Sequence, residues 1–197
     1  MENSAKHWND HIVIMPTDRL FQRVVEPFVP KSVRPNHLTL LRFVFVPFVA
    51  YFLIADRYDI AIAFFLIAAL TDWFDGALAR SRRQITRWGI IYDPLADKVL
   101  IGAALFLIVL EHVNVILGLA LLVIEGVSIV AGVRAHTRGL VEPSNVWGKI
   151  KMVAEVIGIL LLLIALWLKI NIFVDFSTGT FAFALIAALV SVYSRIK

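Results

Sequence analysis

Six apolar segments, each close to the length that crosses a bilayer, follow one another along most of this chain. A membrane-spanning helix needs about 20 mostly apolar residues. Of the 197 residues, 60% are hydrophobic and 17% are charged, which is far more apolar than a soluble domain. The segments lie at residues 38–55, 59–79, 88–110, 114–133, 146–168 and 178–193. Because their connections are short, the sequence predicts an all-α integral membrane protein in which residues 38–197 form one bundle of six transmembrane helices.

The first 37 residues form an N-terminal arm that mixes charge with apolar side chains. Five apolar residues recur there at near-helical spacing: Leu20, Phe21, Val24, Val25 and Phe28. Charged residues stand opposite them: Asp18, Arg19, Arg23 and Glu26. This pattern predicts an amphipathic juxtamembrane helix that lies in the membrane interface. An irregular arm is the alternative, because Pro27 and Pro30 limit the length of any helix.

Basic residues beside the predicted spans fall mostly on one side of a six-span topology. That side carries Arg34, Arg80, Arg82, Arg83, Arg87, Arg134, Arg138, Lys149, Lys151, Arg195 and Lys197, and the other side carries Arg57 and Lys169. The positive-inside rule therefore predicts a cytoplasmic location for both termini and for the loops after spans two and four. Basic residues between apolar spans are explained by topology or anionic lipid, so a nucleic-acid partner is not expected.

Four aspartates stand within the second and third apolar segments, where a charge costs about 2.5 to 3.5 kcal/mol on insertion scales. Asp72 and Asp75 are three residues apart, and Asp93 and Asp97 are four apart, so each pair shares one helix face. A short loop makes the two helices antiparallel neighbours. The four carboxylates can then converge at one depth, and their mutual repulsion requires neutralising cations.

Hard divalent cations are the natural neutralising ions for such a cluster. The chain has no cysteine, so its metal ligands are limited to oxygen and imidazole, and oxygen ligands favour Mg²⁺, Mn²⁺ or Ca²⁺ over zinc. Two such ions, about 3.5 to 4 Å apart, stabilise the attacking and leaving oxygens of a phosphoryl-type displacement. The cluster therefore predicts a substrate that contains phosphate.

Small residues accompany the aspartates and complete a spaced motif. Gly76 and Ala79 follow the first pair and Gly89 precedes the second, positions that admit a ligand or, alternatively, serve only helix packing. With Arg80, the pattern reads D-x2-D-G-x2-A-R-x8-G-x3-D-x3-D from Asp72 to Asp97. It reproduces the signature of the CDP-alcohol phosphotransferase family, which this chain resembles over most of its length. The Pro35-Asn36 and Leu38-Thr39 run is also similar to that family.

The resemblance implies a role for each position of the motif. Asp72, Asp75 and Asp93 would bind two divalent cations, Mg²⁺ or Mn²⁺. Asp97 would complete the metal-binding set and act as the base that deprotonates an acceptor hydroxyl. The residues expected to bind the CDP part of the donor are Asn36, Thr39, Asp72, Gly76, Ala79, Arg80 and Gly89. Arginine suits phosphate because its planar fork matches phosphate oxygens, although Arg80 is also explained as a topology marker.

The same resemblance implies a reaction in which a phosphatidyl group passes from CDP-diacylglycerol, or a related CDP-alcohol, to an alcohol, with release of CMP. A second basic group flanks the connection between spans four and five and could bind a small anionic acceptor: Arg134, Arg138, Lys149 and Lys151. Topology or anionic lipid is the alternative explanation for these residues. The stretches at residues 93–98 and 148–151 most resemble phosphatidylglycerophosphate synthases, which favours glycerol 3-phosphate. Inositol phosphate, serine and phosphatidylglycerol, the last giving cardiolipin, are alternative acceptors.

Further charged residues lie within the spans without a motif. Arg42 can extend to the nearby surface, and Glu125 and Glu155 can be neutral or paired inside the bundle, but each is also a functional candidate. A divalent-cation transporter or channel would also bury carboxylates, yet the sequence has one acidic cluster and no inverted repeat. The expected protein is a multi-pass membrane enzyme with its active site at the cytoplasmic side, and the family resemblance allows a homodimer.

Overall fold

The computed structural model describes residues 16–30, 32–84, 86–137 and 145–196, and every regular element within these ranges is helical. Helix α1 is short, Pro16–Val24, and a 3₁₀ turn, Glu26–Phe28, follows it. The long helices are α2 (Pro35–Ile54), α3 (Tyr58–Ser81), α4 (Arg87–Ala104), α5 (Val115–Thr137), α6 (Val146–Leu168) and α7 (Asn171–Ile196). A π-helical turn, Leu105–Val109, and one α-helical turn, Leu110–His112, extend α4.

Five of the described helices, α2, α3, α5, α6 and α7, are long and apolar enough to cross a membrane. Helix α4 differs because its 18 residues include Arg87, Asp93, Asp97 and Lys98. Large apolar side chains are exposed along the five helices, as a hydrocarbon environment requires; Ile116 on α5 is 79% exposed. The sequence prediction of an all-helical, multi-pass membrane protein is confirmed for the described residues.

The last helix begins earlier than its apolar pattern indicates. We expect a span at residues 178–193, but α7 begins at Asn171. Three hydroxyls in its first turns find carbonyl partners: Ser177 donates to Gly158 at 2.9 Å, Thr178 to Val174 at 2.8 Å and Thr180 to Phe176 at 2.8 Å. Because these hydroxyls are satisfied inside the helices, they do not end α7, and a hydropathy pattern cannot show this.

The chain divides into two compact units. The first comprises the described residues of Met1–Phe45 and Leu66–Asp97, and the second comprises those of Val46–Phe65 and Lys98–Lys197. In the first unit, Phe21 of α1 is buried against Ala77 and Leu78 of α3. The N-terminal arm therefore contains a short helix, and the ring of Phe21 also contacts the rings of Trp73 and Phe74 on α3.

Arg82 connects the end of α3 to the segment that leads into α2. Its guanidinium donates to the carbonyl oxygens of Val29 at 2.8 Å, Val33 at 3.0 Å and Pro30 at 3.3 Å, and its Nε lies 3.4 Å from Glu26. These carbonyls belong to no helix, and the arginine supplies a donor to each of them, although the Pro30 carbonyl also accepts from the Val33 N–H at 3.0 Å. Arg82 thus fixes the approach to the first turn of α2.

In the second unit, α6 and α7 pack closely where Gly158 of α6 lies against Phe181 of α7. A Cβ atom at Gly158 would lie 2.8 Å from a ring carbon of buried Phe181, so only glycine permits this approach without a shift. Helix α6 is capped by Asn145, whose side chain accepts from the Trp147 N–H at 3.0 Å and donates to Ser194 Oγ at 2.6 Å. The cap therefore also joins the start of α6 to the end of α7.

Candidate active site

Helix α2 presents a polar stripe in an otherwise apolar sequence. Asn36, Thr39 and Arg42 are three residues apart, so they lie along one side of the helix. Thr39 and Arg42 are 0% exposed. A fully buried arginine and threonine on one helix face require polar partners on the neighbouring helices.

The partners of Arg42 are aspartates of the signature motif. Its guanidinium lies 3.2 Å from Asp72 Oδ1 and 2.7 Å from Asp75 Oδ2, both on α3, and 3.1 Å from Asp97 Oδ1 on α4. One side chain of α2 therefore joins α3 and α4. The sequence analysis allowed Arg42 to extend to the membrane surface, and the structure instead buries it among three carboxylates.

The fourth aspartate is held by the same side of α2. The hydroxyl of Thr39 donates to Asp93 Oδ1, and Arg42 Nη1 approaches the backbone oxygen of Asp93 at 3.5 Å. Exposure differs within the cluster: the side chain of Asp75 is 2% exposed, that of Asp97 is 14% exposed and that of Asp72 is 30% exposed. Of these three aspartates, Asp72 is the most open to a ligand and Asp75 is the least open.

The cluster suits hard cations by charge and by ligand chemistry. Four carboxylates face one guanidinium, which leaves the fully ionised group strongly negative, and all its donor atoms are oxygens. Within residues 16–30, 32–84, 86–137 and 145–196, however, no three His, Asp or Glu side chains are arranged to hold one ion. The ligand types therefore suit a divalent cation, but three of the four aspartates are turned towards the guanidinium of Arg42.

The two glycines of the motif lie against polar side chains. A Cβ atom at Gly76 would lie 3.1 Å from Nη1 of Arg80, and one at Gly89 would lie 3.1 Å from Asp93 Oδ2 and 3.5 Å from Asn36 Oδ1. Gly89 is buried, whereas Gly76, Arg80 and the expected CDP-binding Ala79 are partly buried. A side chain at 76 or 89 would crowd the arginine or the aspartate, so the two glycines permit the close approach of these charged groups to the helix backbone.

Thr86, just before α4, organises the Gly89 side of the site. Its hydroxyl donates to Asn36 Oδ1 at 2.8 Å and accepts from the Gly89 N–H at 3.0 Å. It therefore caps α4 and at the same time orients a side chain expected to bind CDP. The sequence analysis missed Thr86, although a threonine directly before a helical segment is a typical cap signal.

The expected acceptor-binding residues lie in the second unit and differ in exposure. Arg134 on α5 and Lys149 on α6 are exposed, and Arg138 lies outside the described residues. Lys151 is buried, with its ammonium against Glu125 and 3.4 Å from Glu155 Oε1. The positive charge of Lys151 is therefore already opposed by two carboxylates, and the spacing of Lys151 and Glu155, four residues apart, is the signal that indicates this pair.

A multi-pass helical protein with four aspartates gathered by one face of α2 matches the family that its motif resembles. The family model for CDP-alcohol phosphatidyltransferase matches residues 32–193. The chain therefore belongs to the CDP-alcohol phosphatidyltransferase family.

Several proteins with a named activity are similar to this chain. A CDP-diacylglycerol–glycerol-3-phosphate 3-phosphatidyltransferase of Haemophilus influenzae is 38% identical over 64% of this chain and 72% of its own length. Proteins of the same name from Salmonella choleraesuis and Escherichia coli are each 35% identical over 83% of this chain and 91% of their own length. The resemblance found in the sequence, including its similarity to phosphatidylglycerophosphate synthases, is confirmed.

Proposed function

We propose that the chain transfers the phosphatidyl group of CDP-diacylglycerol to glycerol 3-phosphate and releases CMP. The observation that carries this proposal is the convergence of the signature aspartates of α3 and α4 on one side of α2. The names of the relatives, which specify CDP-diacylglycerol and glycerol 3-phosphate, support the choice of donor and acceptor.

The proposed reaction is a displacement at one phosphorus atom. A hydroxyl oxygen of glycerol 3-phosphate forms a bond to the phosphorus that carries the diacylglycerol, and the bond from that phosphorus to the oxygen of CMP breaks. CMP leaves with the bonding electron pair, and the products are CMP and phosphatidylglycerophosphate. Asp97, whose side chain is 14% exposed, accepts the hydroxyl proton.

Asp72, Asp75 and Asp93, together with Asp97, would hold two divalent cations, Mg²⁺ or Mn²⁺. When bound, such ions supply charge stabilisation at the phosphate oxygens. Carboxylates on two helices suit this role because α3 and α4 each contribute one pair, at a spacing that keeps the pair on one face.

The donor nucleotide would lie beside the two glycines. Arg80 provides a charged fork for phosphate oxygens, and Gly76 lets its guanidinium pack closely against α3. Asn36, oriented by Thr86, provides amide and carbonyl groups suited to a base or a ribose. The remaining residues proposed for CDP binding are Thr39, Asp72, Ala79 and Gly89.

For the acceptor, we propose the cations beside the connection between α5 and α6, of which Arg134 and Lys149 are exposed. Arg134 and Lys149 are positioned at the end of α5 and the start of α6, and Arg138 belongs to the connection between these helices. Glycerol 3-phosphate is a dianion near neutral pH, so cations of this kind would attract it. Lys151 is a poorer candidate because Glu125 and Glu155 already oppose its charge.

The proposed membrane arrangement has six spans, with α4 and its extension as the third. Helix α4 can be accommodated because its charged residues face partners: Asp97 contacts Arg42, and Asp93 contacts Thr39. Helix α1 would lie in the interface, since Leu20 is 61% and Val24 is 56% exposed, while Phe21 is buried. The basic residues beside the spans support a cytoplasmic active site.

The direct test is release of CMP by the purified protein in detergent with Mg²⁺ and CDP-diacylglycerol, adding one acceptor at a time and identifying the lipid. We expect phosphatidylglycerophosphate with glycerol 3-phosphate. Product with inositol phosphate, serine or phosphatidylglycerol instead would retain the family chemistry and reject the acceptor. No CMP with any acceptor, from a folded protein that binds Mg²⁺, would reject the transferase and favour an ion-handling protein.

A matched pair of variants controls for folding in this assay. Asp72→Asn removes one charge from the cluster, and Asp59→Asn removes one from the exposed start of the same helix, where Asp59 pairs with Arg57. We expect loss of CMP release in the first and retention in the second. Full activity of Asp72→Asn would contradict the metal-binding role.

A further inference from the structure

Arg42 lies among the aspartates of the site, and the proposed reaction gives it no role. Its side chain is 0% exposed and its guanidinium contacts Asp72, Asp75 and Asp97. An arginine keeps its charge under all ordinary conditions, so burial is tolerated only where opposite charges are close. Here the carboxylates that make burial tolerable are those proposed to hold metal ions.

Arg42 donates a hydrogen bond of 2.7 Å to Asp75, and its Nη1 lies 3.2 Å from Asp72 and 3.1 Å from Asp97. Its Nη atoms face the three carboxylates, whereas its buried Nε has no hydrogen-bond partner within the described part of the chain. An arginine placed to lock a rigid network would use its whole planar fork. The geometry instead resembles that of a counter-ion placed at the centre of a negative cluster.

Charge counting shows that one guanidinium does not neutralise the group. The four aspartates carry four negative charges when ionised, against one positive charge from Arg42. Divalent cations would need oxygens of the same kind that the guanidinium now contacts: Asp72 Oδ1, Asp75 Oδ2 and Asp97 Oδ1. Each carboxylate also has a second oxygen, so a metal ion could bind beside the guanidinium, but the two positive charges would then repel each other at short distance.

We propose that Arg42 is a resident counter-cation that holds the aspartate cluster together and competes with divalent metal ions for its negative charge. This inference rests on the proposed function, because it takes the aspartates as the metal-binding residues. Arg42 is a positioning residue in this role: it joins α2 to α3 and α4 and limits the repulsion among the carboxylates. It also sets how strongly the cluster attracts a further cation.

Competition between Arg42 and a metal ion predicts that loss of Arg42 increases the affinity for the metal ion. Removing a positive charge about 3 Å from the ligand oxygens strengthens their attraction for a divalent ion, because Coulomb energy is large at such distances in a protein interior. Arg42→Met should therefore lower the Kd for Mn²⁺ at least tenfold. A purely structural arginine that shapes the site would have the opposite effect, since its loss would weaken metal binding.

The experiment measures Mn²⁺ binding to purified protein in detergent by electron paramagnetic resonance of the free ion, without substrate. It compares wild type, Arg42→Met, Arg42→Lys and Arg57→Met. Arg57 is an exposed arginine that also pairs with an aspartate, so its replacement controls for loss of one arginine–aspartate pair and should leave the Kd unchanged. The lysine variant keeps a cation with fewer contacts and should bind Mn²⁺ more tightly than wild type by a smaller factor.

A second readout is the melting temperature with EDTA and with Mn²⁺. Arg42→Met should melt lower than wild type in EDTA, because the carboxylates lose their counter-ion, and should gain more from Mn²⁺ than wild type does. If methionine at position 42 prevents folding, Arg42→Lys carries the comparison.

An unchanged or weaker Mn²⁺ affinity in the folded Arg42 variants would overturn the proposal. Wild-type protein that binds Mn²⁺ and releases CMP would in that case keep the proposed function intact. Wild-type protein that binds no Mn²⁺ would overturn both the metal role of the aspartates and this inference.

Discussion

Lys151 of α6 forms an ion pair with Glu125 of α5, and its ammonium lies 3.4 Å from Glu155 Oε1, one helical turn further along α6. All three side chains are buried, and both Glu155 oxygens and Oε2 of Glu125 lack a hydrogen-bond partner among the described residues. Two carboxylates thus share one ammonium inside the second unit. Such a cluster is sensitive to loss of its cation.

Lys151→Met should lower the free energy of unfolding by about 3 to 5 kcal/mol, because it leaves buried carboxylates without a counter-charge. The measurement is the melting temperature in detergent, together with the KM for glycerol 3-phosphate. Lys149→Met is the matched control, since Lys149 is two residues away and exposed. We expect this control to raise the acceptor KM without a change in stability.

The reverse pattern would contradict this interpretation. A stable Lys151→Met protein with a raised acceptor KM would return Lys151 to the acceptor site. Glu155→Gln provides a further check, because it removes the excess negative charge and should leave stability unchanged or increase it.

The sequence predicts helices well where their length and apolarity decide the structure. Each of the six apolar segments contains a long helix, because a run of apolar residues in a membrane must satisfy its own backbone hydrogen bonds. Helix ends are less predictable. The start of α7 is missed because Asn171, Asp175 and Ser177 lower the hydropathy ahead of the predicted span without breaking the helix.

The motif identifies the site, but it does not include the residues that organise it. Arg42 and Thr86 lie outside the signature, and their partners are about 33 and 50 residues distant along the chain. Helix α2 is apolar on nearly every side, so hydropathy does not show which side faces the aspartates. The regular spacing of Asn36, Thr39 and Arg42 is the one sign in the sequence of a polar side on α2. That sign can be interpreted only when the positions of α3 and α4 are known.

Thr86→Val should impair both stability and donor binding. Valine keeps the shape but removes the hydroxyl that caps α4 at the Gly89 N–H and contacts Asn36. Loss of a helix cap costs about 0.5 to 2 kcal/mol. The melting temperature and the KM for CDP-diacylglycerol measure the two effects, and we expect the KM to rise.

Thr86→Ser is the matched control because serine retains the hydroxyl, so it should behave like wild type. If valine lowers the melting temperature but leaves the donor KM unchanged, Thr86 acts only as a cap. In that case, the contact of Thr86 with Asn36 does not contribute to donor binding.

Arg82→Met should loosen the N-terminal arm. The variant removes the donor for the carbonyls of Val29, Pro30 and Val33, which belong to no helix. Trypsin can report on this change because Arg19 and Arg23 of α1 are exposed. We expect cleavage at these arginines to be several-fold faster than in wild type, since proteolysis follows local opening.

Arg83→Met is the matched control for this experiment. Arg83 is the exposed neighbour of Arg82, so both variants remove one positive charge and one tryptic site from the same turn. Equal cleavage rates at Arg19 and Arg23 in the two variants would show that Arg82 does not hold the arm.

Gly158→Ala should destabilise the contact between α6 and α7, although alanine is ordinarily the better helix former. The added Cβ would lie 2.8 Å from Phe181 Cε1, and Phe181 is fully buried, so the ring or the helix must shift. Overpacking of this kind costs about 1 to 3 kcal/mol, which exceeds the gain of about 1 kcal/mol from replacing a helical glycine. Gly179→Ala tests the helix-propensity effect alone, because a Cβ at Gly179 meets nothing within 4 Å, and it should raise the melting temperature. If both variants raise it equally, the close approach of α6 and α7 at Gly158 does not limit stability.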